Sequence, residues 1–503
     1  MVENKICIDM KKVLFLLSMM AAVCAWAQGP ELTFGKTAKG FDYNTMDNAT
    51  IVAHTSEGTL AVVPCSHGAM AGNVLNGDLW LRLINMNGDI VRELHLPNTE
   101  EHKIPVFGGI KFQPTAEYFG VIANYVDGKA YILYRSEVGF ARIVVNPTTM
   151  QIESTTEMKY IDLAEEQCTI HTAVSPNKDY AVLSVVNLNA PNHLMLLNRT
   201  LEVQWHNNAY AEECFVDNQG QVYTCSSDLN RYGATEMKLV LYTPDGQETE
   251  EHPVINMPMA VKFLNATDGV VVALGLVPSN EQSPKEPNVT FDRIAGIAFD
   301  FSTKTPLFTM EPITSDEFNV FGNLPTKKTN KVGKVDGIKL STSLATSFGG
   351  VCMVERRWRV VVRDANTGMV NKINYATSGT MMVAVDKKGN ILWHLPFRIN
   401  KLEGVGPNIL ASAKLMERDG YIYMLRMDSG APATYDISKP APKYNPAMNF
   451  KQYGLYRINA HGQVEKTVFK GKGALVGQPF QYSDNGYVIL QGVLKGGIAT
   501  LTF

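Results

Sequence analysis

The residues best suited to ligand chemistry lie in one unusually charged, strand-like segment, Val354–Arg363. Strand alternation places Glu355, Arg357 and Arg359 on one face of this segment. Trp358 falls on the other face. The two guanidinium groups can bind a carboxylate or sulfate through paired hydrogen bonds, and the indole can stack on the ligand. The alternative is an outer strand of a sheet that carries ion pairs on a solvated face.

A segment rich in proline and tyrosine is the second candidate ligand site. Residues 428–453 include Tyr435 and Tyr444 among several prolines. Proline stiffens a loop, and tyrosine offers a flat apolar face with a polar tip, which suits a sugar ring or a peptide. The alternative is a lid that packs on its own sheet. A second insertion, residues 314–349, contains five lysines and is more typical of a solvated loop.

Complete catalytic motifs are missing from the sequence. It contains no Gly-x-Ser-x-Gly, His-Glu-x-x-His, phosphate-binding or EF-hand pattern. Histidine could act with tyrosine and arginine in a polysaccharide lyase, although a structural role is commoner for a lone histidine. The candidates are His54, His67, His171 and His394.

Cysteine spacing argues against both a metal site and a disulfide framework. No Cys-x-x-Cys pair is present, so we expect no bound metal. Cys214 and Cys225 could pair across a hairpin, but we expect lone buried thiols because a chain of this size does not need covalent cross-links.

Composition and charge restrict the class of protein. The chain has 503 residues, of which 45% are hydrophobic and 19% charged, and its formal net charge is −3. These values exclude a disordered or collagen-like chain. A nucleic-acid-binding protein would normally be strongly basic. We therefore expect no nucleic-acid partner, and we expect a monomer.

The first 27 residues have the features of a secretory signal peptide. Lys11 and Lys12 precede the apolar run Val13–Ala27, which ends in Ala-Trp-Ala. The run has 15 residues, whereas a membrane-spanning helix needs about 20. We predict cleavage after Ala27 and export in a Gram-negative bacterium, to the periplasm, the outer membrane or the medium. Lipidation of Cys24 is the alternative, and we expect no transmembrane segment and at most a peripheral attachment to the envelope.

Residues 28–503 repeat one short pattern. A glycine that follows Asp or Asn begins an alternating apolar stretch containing tyrosine or tryptophan. Tight Asn-Gly or Asp-Gly turns then join pairs of such stretches, which is typical of β-hairpins. Helical patterns are nearly absent, and only Thr156–Gln167 could hold a short helix. Examples of the repeat are Asp127–Tyr134, Asn218–Tyr223, Asp419–Tyr423 and Asp484–Ile489.

Grouping the repeats gives seven complete units and one incomplete unit. They lie near residues 51–100, 110–160, 171–208, 210–255, 259–313, 350–397, 414–470 and 475–503. The last unit lacks a strand, which Glu31–Phe34 could supply, and this arrangement is typical of a closed β-propeller. We predict an all-β fold: a single β-propeller of seven or eight four-stranded antiparallel blades, with eight favoured, closed by the N- and C-terminal strands. The alternative is an elongated set of β-sandwiches.

Two segments resemble the repeats of known propeller families. Val383–Trp393, with Asp386, Gly389 and Trp393, is similar to the repeat of quinoprotein-type (PQQ-like) propellers. Val174–Val182 resembles the blade opening of the WD40, YVTN and TolB-like group. The resemblance implies the fold of a bacterial secreted propeller and says little about activity. Tryptophan occurs at few positions after residue 27, so most blades lack the quinoprotein docking motif and we expect no cofactor.

Function in a propeller depends on the loops at one mouth of its channel. We expect an exported scaffold for binding or assembly, without catalysis, that holds a protein or glycan ligand at this mouth. The alternative is a carbohydrate-active enzyme, either a polysaccharide lyase or a glycoside hydrolase. Converging carboxylates, or a set of His, Tyr and Arg, would favour the enzyme. Scattered hydrophobic and amide groups would favour the scaffold.

Overall fold

A computed structural model describes most of the chain. The described residues are 29–38, 49–65, 78–97, 121–136, 139–159, 168–187, 190–226, 229–230, 233–234, 237–248, 252–255, 260–279, 290–314, 317, 335–336, 338–363, 370–404, 413–427, 452–492 and 496–503. The predicted leader, residues 1–27, lies outside them. No helix in the described part is long and apolar enough to cross a membrane.

Strands follow one another in antiparallel groups of four along the first half of the chain. Strand β1 (Glu31–Ala38) precedes the first complete group. Blade 1 is β2 (Thr50–Thr55), β3 (Gly58–Cys65), β4 (Asp78–Ile84) and β5 (Ile90–His95). Blade 2 is β6 (Ile122–Val126), β7 (Lys129–Ser136), β8 (Gly139–Asn146) and β9 (Gln151–Met158). Blade 3 is β10 (Cys168–Val174), β11 (Tyr180–Asn187), β12 (His193–Asn198) and β13 (Val203–Asn207).

Blades 4 and 5 each carry a small addition to this pattern. Blade 4 is β14 (Glu213–Val216), β15 (Val222–Ser226), β18 (Met237–Tyr242) and β19 (His252–Ile255), with the hairpin β16 (Leu229–Asn230) and β17 (Gly233–Ala234) inserted. Blade 5 is β20 (Ala260–Thr267), β21 (Val270–Pro278), β22 (Thr290–Asp300) and β23 (Thr305–Pro312). The short strand β24 (Val335–Asp336) adds to β22.

The last three blades complete the ring. Blade 6 has long strands: β25 (Ile338–Thr346), β26 (Gly349–Arg363), β27 (Val370–Asp386) and β28 (Ile391–Gly404). Blade 7 is β29 (Lys414–Arg418), β30 (Tyr421–Met427), β31 (Gln452–Ile458) and β32 (Val464–Lys470). Blade 8 is β33 (Leu475–Ser483), β34 (Gly486–Gly492) and β35 (Gly496–Thr502), with β1 as its fourth strand.

Pairing of β1 with β35 closes the ring as the sequence predicts. Leu32 lies opposite Leu501, and Phe34 lies opposite Ala499. The backbone N–H of Lys36 also donates to the Met86 carbonyl oxygen of blade 1 at 3.1 Å. The architecture is therefore an eight-bladed β-propeller, and the alternative of separate β-sandwiches is wrong.

Apolar side chains bind each blade to the next. Eight buried clusters occur in the described residues, and each combines residues of two neighbouring blades. One cluster, for example, packs Val488 and Ile498 of blade 8 against Ala61 and Ile84 of blade 1. Because burial of apolar surface is the main stabilising term in folding, the closed ring is stabilised at every junction between blades.

Most turns between third and fourth strands begin with Asn or Asp, and in blades 1, 6 and 7 a glycine follows three residues later. In six blades, the side-chain oxygen of Asn or Asp accepts a hydrogen bond from the backbone N–H two residues later, at 2.8 to 3.0 Å. This side chain mimics a backbone turn, which explains why the sequence repeats the residue type. The six residues are Asn85, Asn146, Asn198, Asp300, Asp386 and Asn459.

We call the side of the ring that carries these turns, together with those after each first strand, the turn face, and the opposite side the loop face. Hydrogen bonds join turns of adjacent blades along the turn face. Asn124 Nδ2 donates to the carbonyl oxygens of Lys178 and Arg199 at 3.1 and 2.9 Å. Arg418 donates to Asn485 Oδ1 at 2.6 Å. Connections 66–77, 96–121, 279–289 and 428–451 join strand ends at the loop face.

Three details differ from the sequence-based expectations or refine them. Thr156–Met158, at the start of the helix candidate, is the end of strand β9. The end of the lysine-rich insertion, Ile338–Thr346, is the innermost strand of blade 6. Cys214 and Cys225 are buried free thiols, so the expectation of unpaired cysteines is confirmed for these two.

Two tryptophans dock onto the glycine of the next blade's third-to-fourth-strand turn. Trp393 packs against Gly462, and its Nε1–H donates to the Ala460 carbonyl oxygen at 3.1 Å. Trp205 packs in the same way against Gly246. These contacts place Trp393 and Trp205 at blade junctions.

Gly389 lies where blade 6 closely approaches blade 5. Its φ is +78°, and an added Cβ would lie 2.6 Å from the backbone nitrogen of Ala298 in blade 5. Gly420 has a φ of +74° but no atom within 4 Å of such a Cβ. We expect Gly389→Ala to lower the free energy of unfolding by about 3–5 kcal/mol and Gly420→Ala by about 1–2 kcal/mol. Urea denaturation measures both values, and equal losses would contradict the close approach.

Candidate functional site

A central channel forms a cavity among the described residues. Its volume is about 1140 Å³, and the first strands of blades 8, 1, 2, 3, 6 and 7 contribute to its wall. This volume slightly exceeds the ~300–1000 Å³ that is common for small-molecule sites. The channel is therefore large enough to hold a ligand of several rings.

The described residues that line the channel combine polar and apolar groups, and none of them is acidic. Among the described lining residues there is no Asp, Glu or Arg. Hydroxyl and amide groups come from Ser341–Ser343, Gln478 and Gln481, and apolar groups come from Val52 and Ile122. Such a surface hydrogen-bonds and packs against a ligand, but it lacks the pair of carboxylates that glycoside hydrolysis requires.

His54 and Tyr482 lie side by side at the turn-face end of the channel. Their ring centroids are 4.6 Å apart. His54 Nδ1 is 2.8 Å from Thr59 Oγ1, and this contact fixes the imidazole orientation. Burial lowers the pKa of His54 from its ordinary value, so the ring is neutral at neutral pH. One ring nitrogen is thus occupied, and the ring presents an uncharged, aromatic surface to the channel.

Lys178 reaches this end of the channel from blade 3. Its Nζ lies 4.5 Å from the centroid of the Phe480 ring, which belongs to blade 8. Phe480 follows an irregularity in β33, where the register breaks after Val476 and Gly477 has a φ of +65°. Burial lowers the pKa of the Lys178 ammonium group. The cation and the ring attract each other through a cation–π contact.

Glu355, the first residue of the predicted charged face, is buried rather than solvated. Its side chain is 1% exposed. It lies on β26, the second strand of blade 6, opposite Lys339 and Thr380 of the flanking strands. The alternative of an outer strand is therefore wrong, because β26 is the second strand of its blade and its Glu355 lies between β25 and β27.

Arg357, Trp358 and Arg359 lie beyond the part of β26 that pairs with β25. Within the described part of the chain they pair with β27, opposite Thr377, Ala376 and Tyr375. The register shifts between Arg356 and Arg357. The structure places the backbone of all three towards the loop face, and their role in ligand binding stays a prediction.

Tyr435 and Tyr444 lie outside the described residues, so their ligand role also stays a prediction. The flanking strands β30 and β31 meet this segment at the loop face. His54 and Tyr482 lie at the other end of the channel.

A buried polar group between blades 6 and 7 was missed by the sequence analysis. Arg426 is 8% exposed and donates to Thr380 Oγ1 at 3.2 Å. Its guanidinium carbon also lies 5.7 Å from the Phe397 ring centroid. An arginine inside the apolar strand Tyr421–Met427 was the available signal.

His171 and His394 have structural surroundings, unlike His54. His171 lies on β10, where burial and then the charge of Lys262 lower its pKa to about 4. His394 lies on β28 at the rim of blade 6, where its Nδ1 bonds Glu317 and its Nε2 is 3.3 Å from Glu311 Oε2. Neither residue is among the described residues that line the channel. His67 lies outside the described residues.

The contacts of His394 with Glu317 and Glu311 predict that the stability of the fold depends on pH. The hydrogen bond that His394 donates to Glu317 raises the pKa of His394 above its ordinary value. A group whose pKa is higher in the folded state stabilises the fold fully when the pH is below its unfolded-state pKa. This stabilisation is lost as the pH rises through its folded-state pKa. We expect His394→Gln to cost about 2 kcal/mol at about pH 6 and clearly less at about pH 9. Urea denaturation at both pH values tests this, and an equal cost would contradict it.

Glu213 and Lys262 form an ion pair between the innermost strands of blades 4 and 5. Lys262 Nζ donates to Glu213 Oε1 at 2.7 Å and to Oε2 at 3.1 Å. The Glu213 side chain is 12% exposed. Burial raises the pKa of the Glu213 carboxyl, against the attraction of the Lys262 ammonium group. This pair stabilises the ring and lies outside the channel lining that is described.

Comparisons with known proteins concern the fold alone. No protein-family model matches the chain. No curated protein matches it either. Among solved structures, the Dos1 propeller is 11% identical with a TM-score of 0.47, covering 94% of this chain and 95% of that chain. Hsv2 of Kluyvelomyces marxianus is 6% identical with a TM-score of 0.38, covering 85% and 99%. A Synechocystis apocarotenoid oxygenase mutant is 9% identical with a TM-score of 0.38, covering 88% and 95%.

Proposed function

We propose that this chain is an exported β-propeller of the PQQ-like or WD40, YVTN and TolB-like kind that serves as a binding or assembly scaffold. It holds a protein or glycan at the channel mouth, in the envelope of a Gram-negative bacterium, and does not transform it. The channel wall is the observation that supports this proposal most. Its described residues combine hydroxyl, amide and apolar groups without a carboxylate. Such a wall can recognise a ligand but offers no pair of acids for hydrolysis.

The test compares binding with turnover on one panel of plant and host glycans. We expect binding to at least one glycan, without new reducing ends or unsaturated ends after long incubation. Release of such ends would overturn the scaffold proposal. Fractionation of a Gram-negative host that expresses the full chain tests export, with N-terminal sequencing of the product. We expect the processed chain to begin at Gln28, and a cytoplasmic, unprocessed chain would contradict export.

A polysaccharide lyase is the second candidate, and the contact between His54 and Tyr482 favours it. A neutral imidazole can accept a proton, and a phenol can donate one. In β-elimination, a base removes the proton next to the carboxylate of a uronic acid. The electron pair forms a double bond in the ring, and the glycosidic oxygen leaves after protonation. His54→Gln and Tyr482→Phe would each abolish the formation of unsaturated ends if this candidate is right.

A further inference from the structure

The turn-face end of the channel carries the cationic side chain of Lys178. It lines the channel there together with the neutral ring of His54, and no described lining residue is acidic. Two nearby rim carboxylates have cationic partners: Glu57 pairs with Arg92, and Asp127 pairs with Arg199. Asp179, the residue after Lys178, accepts a hydrogen bond from the neutral amide of Asn177 at 2.8 Å.

Lys178 occupies a backbone conformation that lysine does not favour. Its φ is +63°, a region in which glycine and asparagine are the common residues. The turn fixes this conformation, because Lys178 N donates to the Ser175 carbonyl oxygen at 2.8 Å and its own carbonyl accepts from Asn124.

Three aromatic side chains line the channel at the same end as the cation. They are Phe480, Tyr482 and Tyr125, and Tyr125 is 38% exposed. Flat rings with polar tips suit the apolar faces of sugar rings. Gln478 and Gln481 add amide groups that can bind sugar hydroxyls. An ammonium group beside these rings adds a partner for a carboxylate.

We infer that the turn-face end of the channel binds an acidic oligosaccharide, a short chain of uronic acids. Lys178 binds a carboxylate, Tyr482 and Phe480 contact sugar faces, and the channel volume of about 1140 Å³ accommodates several rings. This inference rests on the proposed binding function and names its ligand class. A peptide rich in acidic residues would offer carboxylates to Lys178. It would offer no sugar faces to the aromatic rings and no sugar hydroxyls to the amides.

Titration calorimetry with three probes tests the ligand class. The probes are tetra-galacturonic acid, the same tetramer with its carboxyl groups reduced to alcohols, and a short oligo-glutamate peptide. We expect the acidic tetramer to bind at least about tenfold more tightly than either of the others, because a charged hydrogen bond is worth about 1.5–3 kcal/mol. Affinity should fall as salt is added. Equal binding of the reduced tetramer, or tighter binding of the peptide, would overturn the inference.

Two matched variants test the site. Lys178→Asn and Lys304→Asn each remove one lysine from a left-handed position, since the φ of Lys304 is +56°. Lys304 lies in the turn between β22 and β23, away from the described channel lining. We expect both variants to keep the free energy of unfolding within about 1 kcal/mol of the parent, because asparagine tolerates this conformation. Only Lys178→Asn should weaken the binding of the acidic tetramer by about tenfold or more.

Unchanged binding by Lys178→Asn, or equal weakening by Lys304→Asn, would refute the assignment of Lys178. Failure of this inference can be told apart from failure of the proposed function. Cleavage of the acidic tetramer would agree with binding at this site but would overturn the proposal of a scaffold without catalysis. Binding of only the reduced tetramer or the peptide would agree with a binding scaffold but would overturn the assignment of uronic acids as its ligand.

Discussion

Deletion of β1 is expected to abolish cooperative folding of the ring. A chain that begins at residue 39 loses the ladder between Glu31–Ala38 and β35, together with burial of Leu32, which is 8% exposed. It also loses the contact of Phe34 with Tyr453, whose ring centroids are 5.7 Å apart. Apolar burial and ladder hydrogen bonds together are worth on the order of 5–10 kcal/mol, which approaches the whole stability of a typical domain. Circular dichroism and urea denaturation measure the loss.

The control for this deletion is a chain that begins at residue 29, which should unfold like the full chain. A synthetic peptide of residues 29–40, added to the chain that begins at residue 39, should restore cooperative unfolding by pairing with β35. A shortened chain with an unchanged unfolding midpoint would show that closure does not stabilise the ring. Exposure of the β35 edge should also promote aggregation, which light scattering detects.

Breaking the ion pair between Glu213 and Lys262 is expected to have the second largest effect. Lys262→Met leaves a carboxylate in a largely buried position, where Glu213 is 12% exposed. Removal of one partner of a buried pair costs about 3–5 kcal/mol, whereas replacement of both is often nearly neutral. We therefore expect a large loss for Lys262→Met and a loss of about 1 kcal/mol for Glu213→Gln combined with Lys262→Met. Urea denaturation at neutral pH measures both.

The pH dependence of this loss has a definite sign. Burial already raises the pKa of Glu213, and loss of the ammonium group removes the attraction that opposes this rise. A carboxyl whose folded pKa lies above its unfolded value favours folding at low pH and opposes it as pH rises through the folded value. The cost of Lys262→Met should therefore shrink at about pH 5. Lys388→Met at an exposed turn is the control, and an equal loss for the single and double variants would rule out the coupling.

Strand patterns and turn residues made the ring predictable from sequence. The turn between β4 and β5, for example, has Gly88 at a φ of +78°, a left-handed position that glycine adopts readily. The missing strand of the last unit indicated that Glu31–Phe34 would close the ring, and β1 confirms this. These predictions succeeded because alternation and turn chemistry are local properties of the chain.

The candidate site was far less predictable, because its residues come from blades that are distant in sequence. Lys178 and Phe480 are 302 positions apart, yet they meet in one cation–π contact. Glu355 carried a charge on an alternating strand, and sequence alone could not show that β26 is covered on both sides. Contacts across the ring depend on blade number and closure, which no local pattern specifies.

By itself, the sequence determined the strands, their turns and the closure of the last blade, since side-chain periodicity and turn residues act over a few positions. Only the tertiary structure decided which side chains face the channel and which become buried. His54, Tyr482 and Lys178 form one mouth because the ring brings blades 1, 8 and 3 together there. The physical reason is that burial and electrostatic surroundings depend on every neighbouring blade, whereas strand formation depends mainly on the chain nearby.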